Sequence, residues 1–99
     1  MDLNFGQALE LLKAGRKVAR KGWNGKGMWI ALMGPLFLPP NNTQAPGPKV
    51  NDRTAKYIGV DLPLDSQPYI AMFTANQQWQ PGWTASQADM LSEDWMEVT

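Results

Sequence analysis

The chain has 99 residues, of which 43% are hydrophobic, and its nine basic and nine acidic side chains give a formal net charge of zero. A chain of this length forms one small domain with a thin core, so we predict a single domain over residues 1–99. It contains no Cys and no His, which excludes thiol nucleophiles, imidazole bases, disulfides and most zinc, copper and haem ligation. We therefore expect no enzymatic activity, no cofactor and no metal.

The charges are unevenly distributed along the chain. All nine Lys and Arg lie in residues 13–56, whereas residues 57–99 carry six of the nine acids and no cation. The zero net charge argues against a binder of DNA or RNA polymers but leaves room for a local anion site near residues 16–26. Pairing between the basic and acidic halves explains the same distribution equally well.

The apolar residues indicate association rather than membrane insertion. There is no run of about 18 apolar residues, and the acidic start followed by a helix pattern is not typical of a signal peptide. We expect a cytoplasmic protein with no membrane partner. Five Trp, six Met and three Phe exceed what so short a chain buries alone, which predicts a homo-oligomer.

The first predicted element is a helix over residues 4–14. Asn4 and Gln7 have the spacing of a capping box, the apolar residues that follow define one helical face, and Gly15 is suited to the left-handed C-terminal position. We expect this helix to cover a sheet.

Two strands follow the helix. The first is basic and centred on Val18, and an Asn24-Gly25 turn leads to a continuous apolar strand over residues 28–33. A continuous apolar run indicates burial on both faces. We expect the helix on one face of the sheet and a second subunit on the other.

The composition changes at residues 34–56, where five Pro and several polar residues predict one long Pro-rich loop. Asn51-Asp52-Arg53 is interpreted as the turn that brings this loop back. Loops of such length are commonly functional or disordered.

The last part of the chain predicts a hairpin, a short helix and a final strand. The hairpin joins residues 69–74 through a polar turn to a return strand at Trp79. Two overlapping capping boxes, Thr84 with Gln87 and Ser86 with Asp89, start a helix that ends near residue 91, and residues 95–98 form the last strand. The predicted fold class is α+β, an antiparallel β-sheet covered by the N-terminal helix with a short helix before the last strand.

The segment at residues 20–29 is the main candidate for a binding site. It contains two Trp, three cations and three Gly, a composition suited to stacking a base and holding a phosphate without reacting with either. The alternative is a tight turn in which Trp23 and Trp29 are ordinary core aromatics. The glycine spacing matches neither the dinucleotide nor the P-loop pattern.

A carboxylate cluster of Asp89, Glu93 and Asp94 is the main candidate for metal binding or acid–base chemistry. Helix capping accounts for Asp89, and Asp94 is expected to pair with a cation of the basic half, so a structural role is favoured. Ser86 has no His to activate it, which argues against a serine nucleophile.

Two signatures in the sequence resemble a known phage family. RKGWNGKGM at residues 20–28 and SQ-x-D-x-L-x-EDW at residues 86–95 are similar to those of the second type of Thoeris anti-defense protein. The resemblance covers both ends of the chain. Residues 34–67 are longer and richer in Pro than in the shortest members of that family.

The resemblance implies a non-enzymatic protein that binds the cyclic ADP-ribose isomers of Thoeris immunity and sequesters them in the cytoplasm of the infected bacterium. It also implies a homotetramer with sites between subunits, and some members similarly bind cyclic oligonucleotides of the CBASS system in separate pockets. The ligand-binding residues that the resemblance implies lie in the two signatures, except for Trp83, which precedes the second. They are Arg20, Trp23, Asn24, Gly25, Lys26, Trp83, Ser86, Gln87 and Asp89.

In this hypothesis Trp23 stacks on an adenine and backbone amides at residues 24–27 meet phosphate, while the residues of the second signature contact ribose or order the wall of the site. The rival hypothesis is a structural or protein-interaction module without a nucleotide ligand. An enzyme that cleaves the nucleotide with carboxylates alone is disfavoured by the missing His and Cys.

Overall fold

The computed structural model describes residues 2–23 and 25–99, which form two compact units. The first unit consists of the described residues up to Met33 together with Tyr69–Thr99, and the second is Gly34–Pro68. The single domain over residues 1–99 stays a prediction.

The described chain contains three helices and seven strands. In chain order they are α1 (Phe5–Lys13), β1 (Lys17–Arg20), β2 (Trp29–Met33), β3 (Leu36–Leu38), α2 (Asp52–Ile58), β4 (Leu64–Ser66), β5 (Tyr69–Phe73), β6 (Trp79–Pro81), α3 (Gln87–Leu91) and β7 (Trp95–Val98).

Helix α1 begins and ends as its sequence predicts. The Asn4 side chain accepts the Gln7 backbone N–H at 2.8 Å, and the Gln7 side chain accepts the Asn4 N–H at 2.9 Å, so the capping box is confirmed. At the other end Gly15 has a positive φ of 85°, and the N–H of Arg16 bonds to the carbonyl of Leu11. These bonds satisfy carbonyls that the end of a helix would otherwise leave unpaired.

The main sheet lies in the first unit and has the strand order β6-β5-β2-β1-β7, with every neighbouring pair antiparallel. Its core joins one sheet face to α1, with Val18, Ile30 and Trp95 on the sheet and Ala8 and Leu12 on the helix, all buried. The structure therefore confirms the α+β fold, with α1 covering the sheet and α3 placed before the last strand.

The second sheet face is also apolar. Trp29 stacks on Phe73 with ring centroids 5.2 Å apart, Trp79 meets Trp29 edge-on at 6.1 Å, and the Lys17 ammonium lies 4.9 Å from the centre of the Trp29 ring. Residues of this face alternate with those that face α1, because successive side chains of a strand point to opposite sides. Trp29 is thus a partly buried residue of the face opposite α1.

The connection between β1 and β2 differs from the predicted two-residue turn. The paired strands end at Arg20 and resume at Trp29, so residues 21–28 form the connection. Asn24, half of the predicted turn, lies outside the described residues. The glycines and cations of this segment therefore belong to a longer loop, because the described residues among them are not used in strand pairing.

The predicted β5–β6 hairpin is present, and its turn places Gln77 at a positive φ of 62°. The return strand ends at Pro81, and Gly82 follows it, as expected for residues that interrupt a strand. The Trp83 N–H then bonds to the Ile70 carbonyl at 2.7 Å, which ties the residue after the hairpin back to β5.

The second unit contains a two-stranded antiparallel sheet of β3 and β4 together with α2. The expected Pro-rich loop over residues 34–56 is therefore interrupted by a strand and by the start of a helix. Asn51 is the reason for the helix: it is the N-cap rather than part of a return turn, and its side chain accepts the Thr54 N–H at 2.8 Å. Val50 and Ala55 are buried in this unit.

None of the helices in the described part of the chain has the length and apolarity that crossing a membrane requires.

Leu12→Ala should destabilise the protein by about 2 to 5 kcal/mol, because it removes a side chain from the interface between α1 and the sheet and leaves a cavity. Leu12 is 2% exposed, whereas Leu91 is 73% exposed, so Leu91→Ala is the matched control and should cost under about 0.5 kcal/mol. Urea unfolding of both variants measures the difference. Equal effects would contradict the assigned core.

Candidate functional site

The two signatures meet at Arg20, the last residue of β1. The Arg20 guanidinium donates through Nη1 to Asp89 Oδ1 at 2.8 Å and through Nε to Asp94 Oδ1 at 2.9 Å. Strand pairing explains the contact, because β1 lies against β7 with Arg20 opposite Trp95, so the residue before Trp95 is within reach. The Arg20 side chain is 16% exposed and that of Asp89 11%. Largely desolvated ion pairs of this kind are held by geometry and hydrogen bonds.

The pairing changes the protonation equilibria of all three groups. Burial alone raises the pKa of Asp89, but the hydrogen bonds from Arg20, from Ser86 and from the Trp23 indole outweigh it and lower the pKa to about 2. The hydrogen bond from Arg20 likewise lowers the pKa of Asp94, and the two carboxylates raise the pKa of Arg20. All three groups are charged at neutral pH.

Asp89 is held by the local structure of α3. Ser86 is the N-cap: its hydroxyl accepts the Asp89 N–H at 3.0 Å, and Asp89 Oδ2 accepts the Ser86 N–H at 3.0 Å. The predicted Ser86–Asp89 capping box is confirmed. The helix begins at Gln87, so Ser86 rather than Thr84 is the residue that caps it.

An aromatic cluster adjoins the ion pairs. The rings of Trp23, Trp83 and Trp95 meet one another edge-on. The ring centroids lie 5.4 Å apart for Trp23 and Trp95, 6.2 Å for Trp23 and Trp83, and 6.3 Å for Trp83 and Trp95. The Trp23 indole N–H donates to Asp89 Oδ1 at 3.1 Å, and the indole N–H of the buried Trp95 donates to the Asp89 carbonyl at 2.9 Å. Trp23 is therefore partly buried and packs on the core. The sequence left two possibilities open for it, an ordinary core aromatic and an indole that stacks on a base, and partial burial is compatible with both.

Glycines allow close contacts along the connection at residues 21–28. The Gly22 N–H donates to Asp94 Oδ2 at 2.8 Å, and a Cβ at Gly22 would lie 2.7 Å from that oxygen. A Cβ at Gly25 would lie 2.5 Å from the Met28 sulfur. A side chain at either position would force these neighbouring side chains to move, because real Cβ atoms do not approach that closely.

The predicted site residues fall into two groups. The structure brings together Arg20, Trp23, Trp83, Ser86 and Asp89. Gly25 instead packs near Met28 and Ala75, and Lys26 and Gln87 are exposed. Asn24 lies outside the described residues, and the assignment of all nine to a ligand stays a prediction.

Two residues of the cluster were not among the predicted site residues. Asp94 accepts hydrogen bonds from Arg20 and from the Gly22 N–H, and Trp95 is the buried residue against which Trp23 packs. Both belong to the second signature, which is the signal that could have identified them. The predicted pairing of Asp94 with a cation is confirmed.

The carboxylates near α3 do not form a metal centre in the described residues, where no group of three or more Asp and Glu is placed to hold an ion. Asp89 and Asp94 face one guanidinium instead. Since their oxygens already accept hydrogen bonds from Arg20, Ser86, Trp23 and Gly22, the arrangement is an internal charge and hydrogen-bond network.

The fold and the site define a small α+β protein in which a basic loop after β1 meets an acidic segment between α3 and β7. A model of the Thoeris anti-defense 2-like domain matches residues 3–98. The chain is also similar to a protein of Bacillus phage SP01 described as Thoeris anti-defense 2, with 34% identity over 93 residues, which cover 94% of this chain and 91% of that protein. The chain belongs to the Thoeris anti-defense 2-like family, which the sequence resemblance predicted.

Acid should remove the contribution of Asp89 to stability. Its folded pKa of about 2 lies below the ordinary value of 3.8, so the stabilisation is complete above pH 3.8 and is lost as the pH falls through about 2. The shift corresponds to about 2 kcal/mol. Asp89→Asn should therefore be less stable than the wild type at pH 5, with a difference that shrinks towards pH 2.

Urea unfolding between pH 5 and pH 2 measures this difference. Glu93→Gln, which changes an exposed carboxyl group of the same segment, is the control and should follow the wild-type pH dependence. A constant gap between Asp89→Asn and the wild type over this pH range would show that the carboxylate is not stabilised as assigned.

Gly22→Ala should destabilise the protein by about 1 to 3 kcal/mol, because the new methyl group displaces Asp94 from the Gly22 N–H and disturbs its bond to Arg20. Gly34→Ala is the matched control, since a Cβ there meets nothing within 4 Å. Thermal melting compares the two. A Gly22→Ala protein that melts with the wild type would show that the loop accommodates the side chain.

Proposed function

We propose that the protein binds and sequesters cyclic nucleotide immune signals without degrading them, in the cytoplasm of the infected bacterium. The expected ligands are the cyclic ADP-ribose isomers of Thoeris immunity, and cyclic oligonucleotides of the CBASS system form a second class. The proposal draws on the family to which the chain belongs. The observation that carries it is Trp23, a partly buried indole held next to a cationic, glycine-rich loop.

The charges of the site favour Lys26 over Arg20 as the phosphate contact. The Arg20 guanidinium is engaged by Asp89 and Asp94, and Lys21 is paired with Asp2. Lys26 is exposed and has no ion pair among the described residues. An ammonium group on a loop with little side-chain bulk is suited to a phosphate, and the adjacent indole is suited to a base.

The protonation states of the carboxylates support binding rather than hydrolysis. Glycosidic cleavage by two carboxyl groups needs one of them protonated near neutral pH, which requires a raised pKa. The pKa values of Asp89 and Asp94 are both lowered by their bonds to Arg20. Neither is suited to act as the general acid.

The alternative function is a structural or protein-interaction module. It is favoured by the same network, because Arg20, Asp89 and Asp94 are paired with one another and so account for both signatures without a ligand. The two functions differ in whether the protein removes a nucleotide from solution.

Incubation of the protein with each cyclic ADP-ribose isomer, followed by ultrafiltration, measures that removal. After heat denaturation the released material is analysed by chromatography. We expect depletion of the nucleotide and release of the intact molecule. Hydrolysis products would identify an enzyme, and an undepleted filtrate would favour the structural module.

Lys26→Ala should weaken binding of the cyclic ADP-ribose isomer roughly tenfold and reduce its dependence on salt, because a charge-assisted contact to phosphate is lost. The melting temperature should stay near that of the wild type, since Lys26 is exposed. Lys13→Ala, which removes an exposed cation from α1, is the matched control. Unchanged affinity and salt dependence for Lys26→Ala would exclude Lys26 from the site.

We also propose that the protein is a homotetramer with ligand sites between subunits. The second sheet face supports association, because it presents the Trp29, Phe73 and Trp79 cluster, and Met33 and Trp79 are exposed large apolar side chains. Light scattering at micromolar concentration should give about four times the 11.0 kDa chain mass. A stable monomer would contradict this assembly.

A further inference from the structure

The Asp89 carboxylate is almost fully engaged inside the protein. Oδ1 accepts hydrogen bonds from Arg20 Nη1 at 2.8 Å and from the Trp23 indole at 3.1 Å, and Oδ2 accepts the Ser86 N–H at 3.0 Å. A carboxylate offers about four acceptor positions, so three are already used. With its side chain 11% exposed, Asp89 is poorly placed to contact a ligand itself.

Asp89 also accepts hydrogen bonds from two of the three clustered indoles. Its side chain holds Trp23, and its backbone carbonyl holds Trp95 through a 2.9 Å hydrogen bond. Trp95 is fully buried, and Trp23 packs edge-on against it. The hydrogen bond from the Trp23 indole to Asp89 adds a directional contact to this packing, and it favours one orientation of the Trp23 ring.

We propose that Asp89 is a positioning residue for ligand binding: through its hydrogen bond to the Trp23 indole it sets the plane on which the ligand's base stacks. The inference rests on the proposed function. Stacking depends on the relative orientation of the two rings, so an indole free to rotate loses affinity even when its ring is intact. Asp89 thus acts on binding without touching the ligand.

Arg20 and Ser86 make the arrangement rigid. The capping box fixes the Asp89 side chain with respect to α3, and the ion pair fixes it with respect to β1. The Trp23 ring is therefore oriented before any ligand arrives, which avoids the entropic cost of ordering it on binding.

Two substitutions separate this role from a purely structural one. Trp23→Phe keeps an aromatic ring but removes the N–H that Asp89 accepts. Asp89→Ala removes the Oδ1 atom that accepts from Arg20 and Trp23, together with the Oδ2 atom that accepts from Ser86. Glu97→Ala is the matched control, since it also removes the partner of an arginine, Arg16, and Glu97 has no hydrogen bond to an indole among the described residues.

Binding of a cyclic ADP-ribose isomer is measured by calorimetry at a temperature where thermal melts show each variant folded. Each of Trp23→Phe and Asp89→Ala should weaken affinity about three- to tenfold, and Glu97→Ala should not. In the double variant the second change should add little, because both remove the same hydrogen bond. Near-ultraviolet circular dichroism of Asp89→Ala should change as the edge-to-face tryptophan contacts alter.

The outcomes are distinguishable. Wild-type affinity in folded Asp89→Ala, or fully additive losses in the double variant, would overturn the positioning role while leaving the binding function intact. If Asp89→Ala does not fold, binding is measured for Trp23→Phe alone, and wild-type affinity of that variant would also overturn the role. A wild-type protein that binds no cyclic nucleotide would overturn both the function and the inference.

Discussion

The contact of one guanidinium with two carboxylates is the interaction on which the rest of the first unit depends. Arg20 ends β1, Asp89 lies in α3 and Asp94 precedes β7, so the ion pairs join β1 to residues that lie 69 and 74 positions later in the chain. Taking three charges out of water is unfavourable unless each is paired, and removing one partner of a buried set typically costs about 3 to 5 kcal/mol. The network therefore fixes where α3 and the loop after β1 lie relative to the sheet.

The aromatic cluster depends on the same geometry. Trp23 and Trp95 both donate to Asp89, one to its side chain and one to its backbone, so the polar edges of two indoles are satisfied while their apolar surfaces pack. A residue that caps a helix thereby also holds two indoles of the candidate site. Since stability and the proposed binding would share these residues, a loss of binding is informative only when folding is measured alongside it.

Local patterns predicted the first unit well. The capping boxes at Asn4 and Ser86 and the positive φ at Gly15 depend on neighbouring residues, which a sequence displays directly. The sequence did not show that β1 and β7 are adjacent, and this long-range pairing determines that Arg20 meets Asp89 as well as Asp94. For the same reason the sequence left Trp23 open between core and site, whereas the structure packs it on the core with its indole N–H bonded to Asp89.

Local patterns predicted the middle of the chain less well. Five prolines in residues 34–56 dominated the composition and predicted a loop, yet one capping residue, Asn51, was sufficient to start α2. Three-residue strands such as β3 and β4 are too short for a period of two to be recognised. They form because each supplies the other's hydrogen-bond partners, and that is information from outside the segment.

Charge balance constrains how an anionic ligand would lie at the proposed site. The set of Arg20, Asp89 and Asp94 carries a net negative charge at neutral pH, because two ionised carboxylates face one guanidinium. A phosphate bound as proposed would be repelled from that set and attracted to Lys26, which follows later in the same loop. A nucleotide bound as proposed therefore places its base against Trp23, near the acidic set, and its phosphates towards Lys26. The same network that stabilises the fold would in this way also determine the orientation in which the ligand binds.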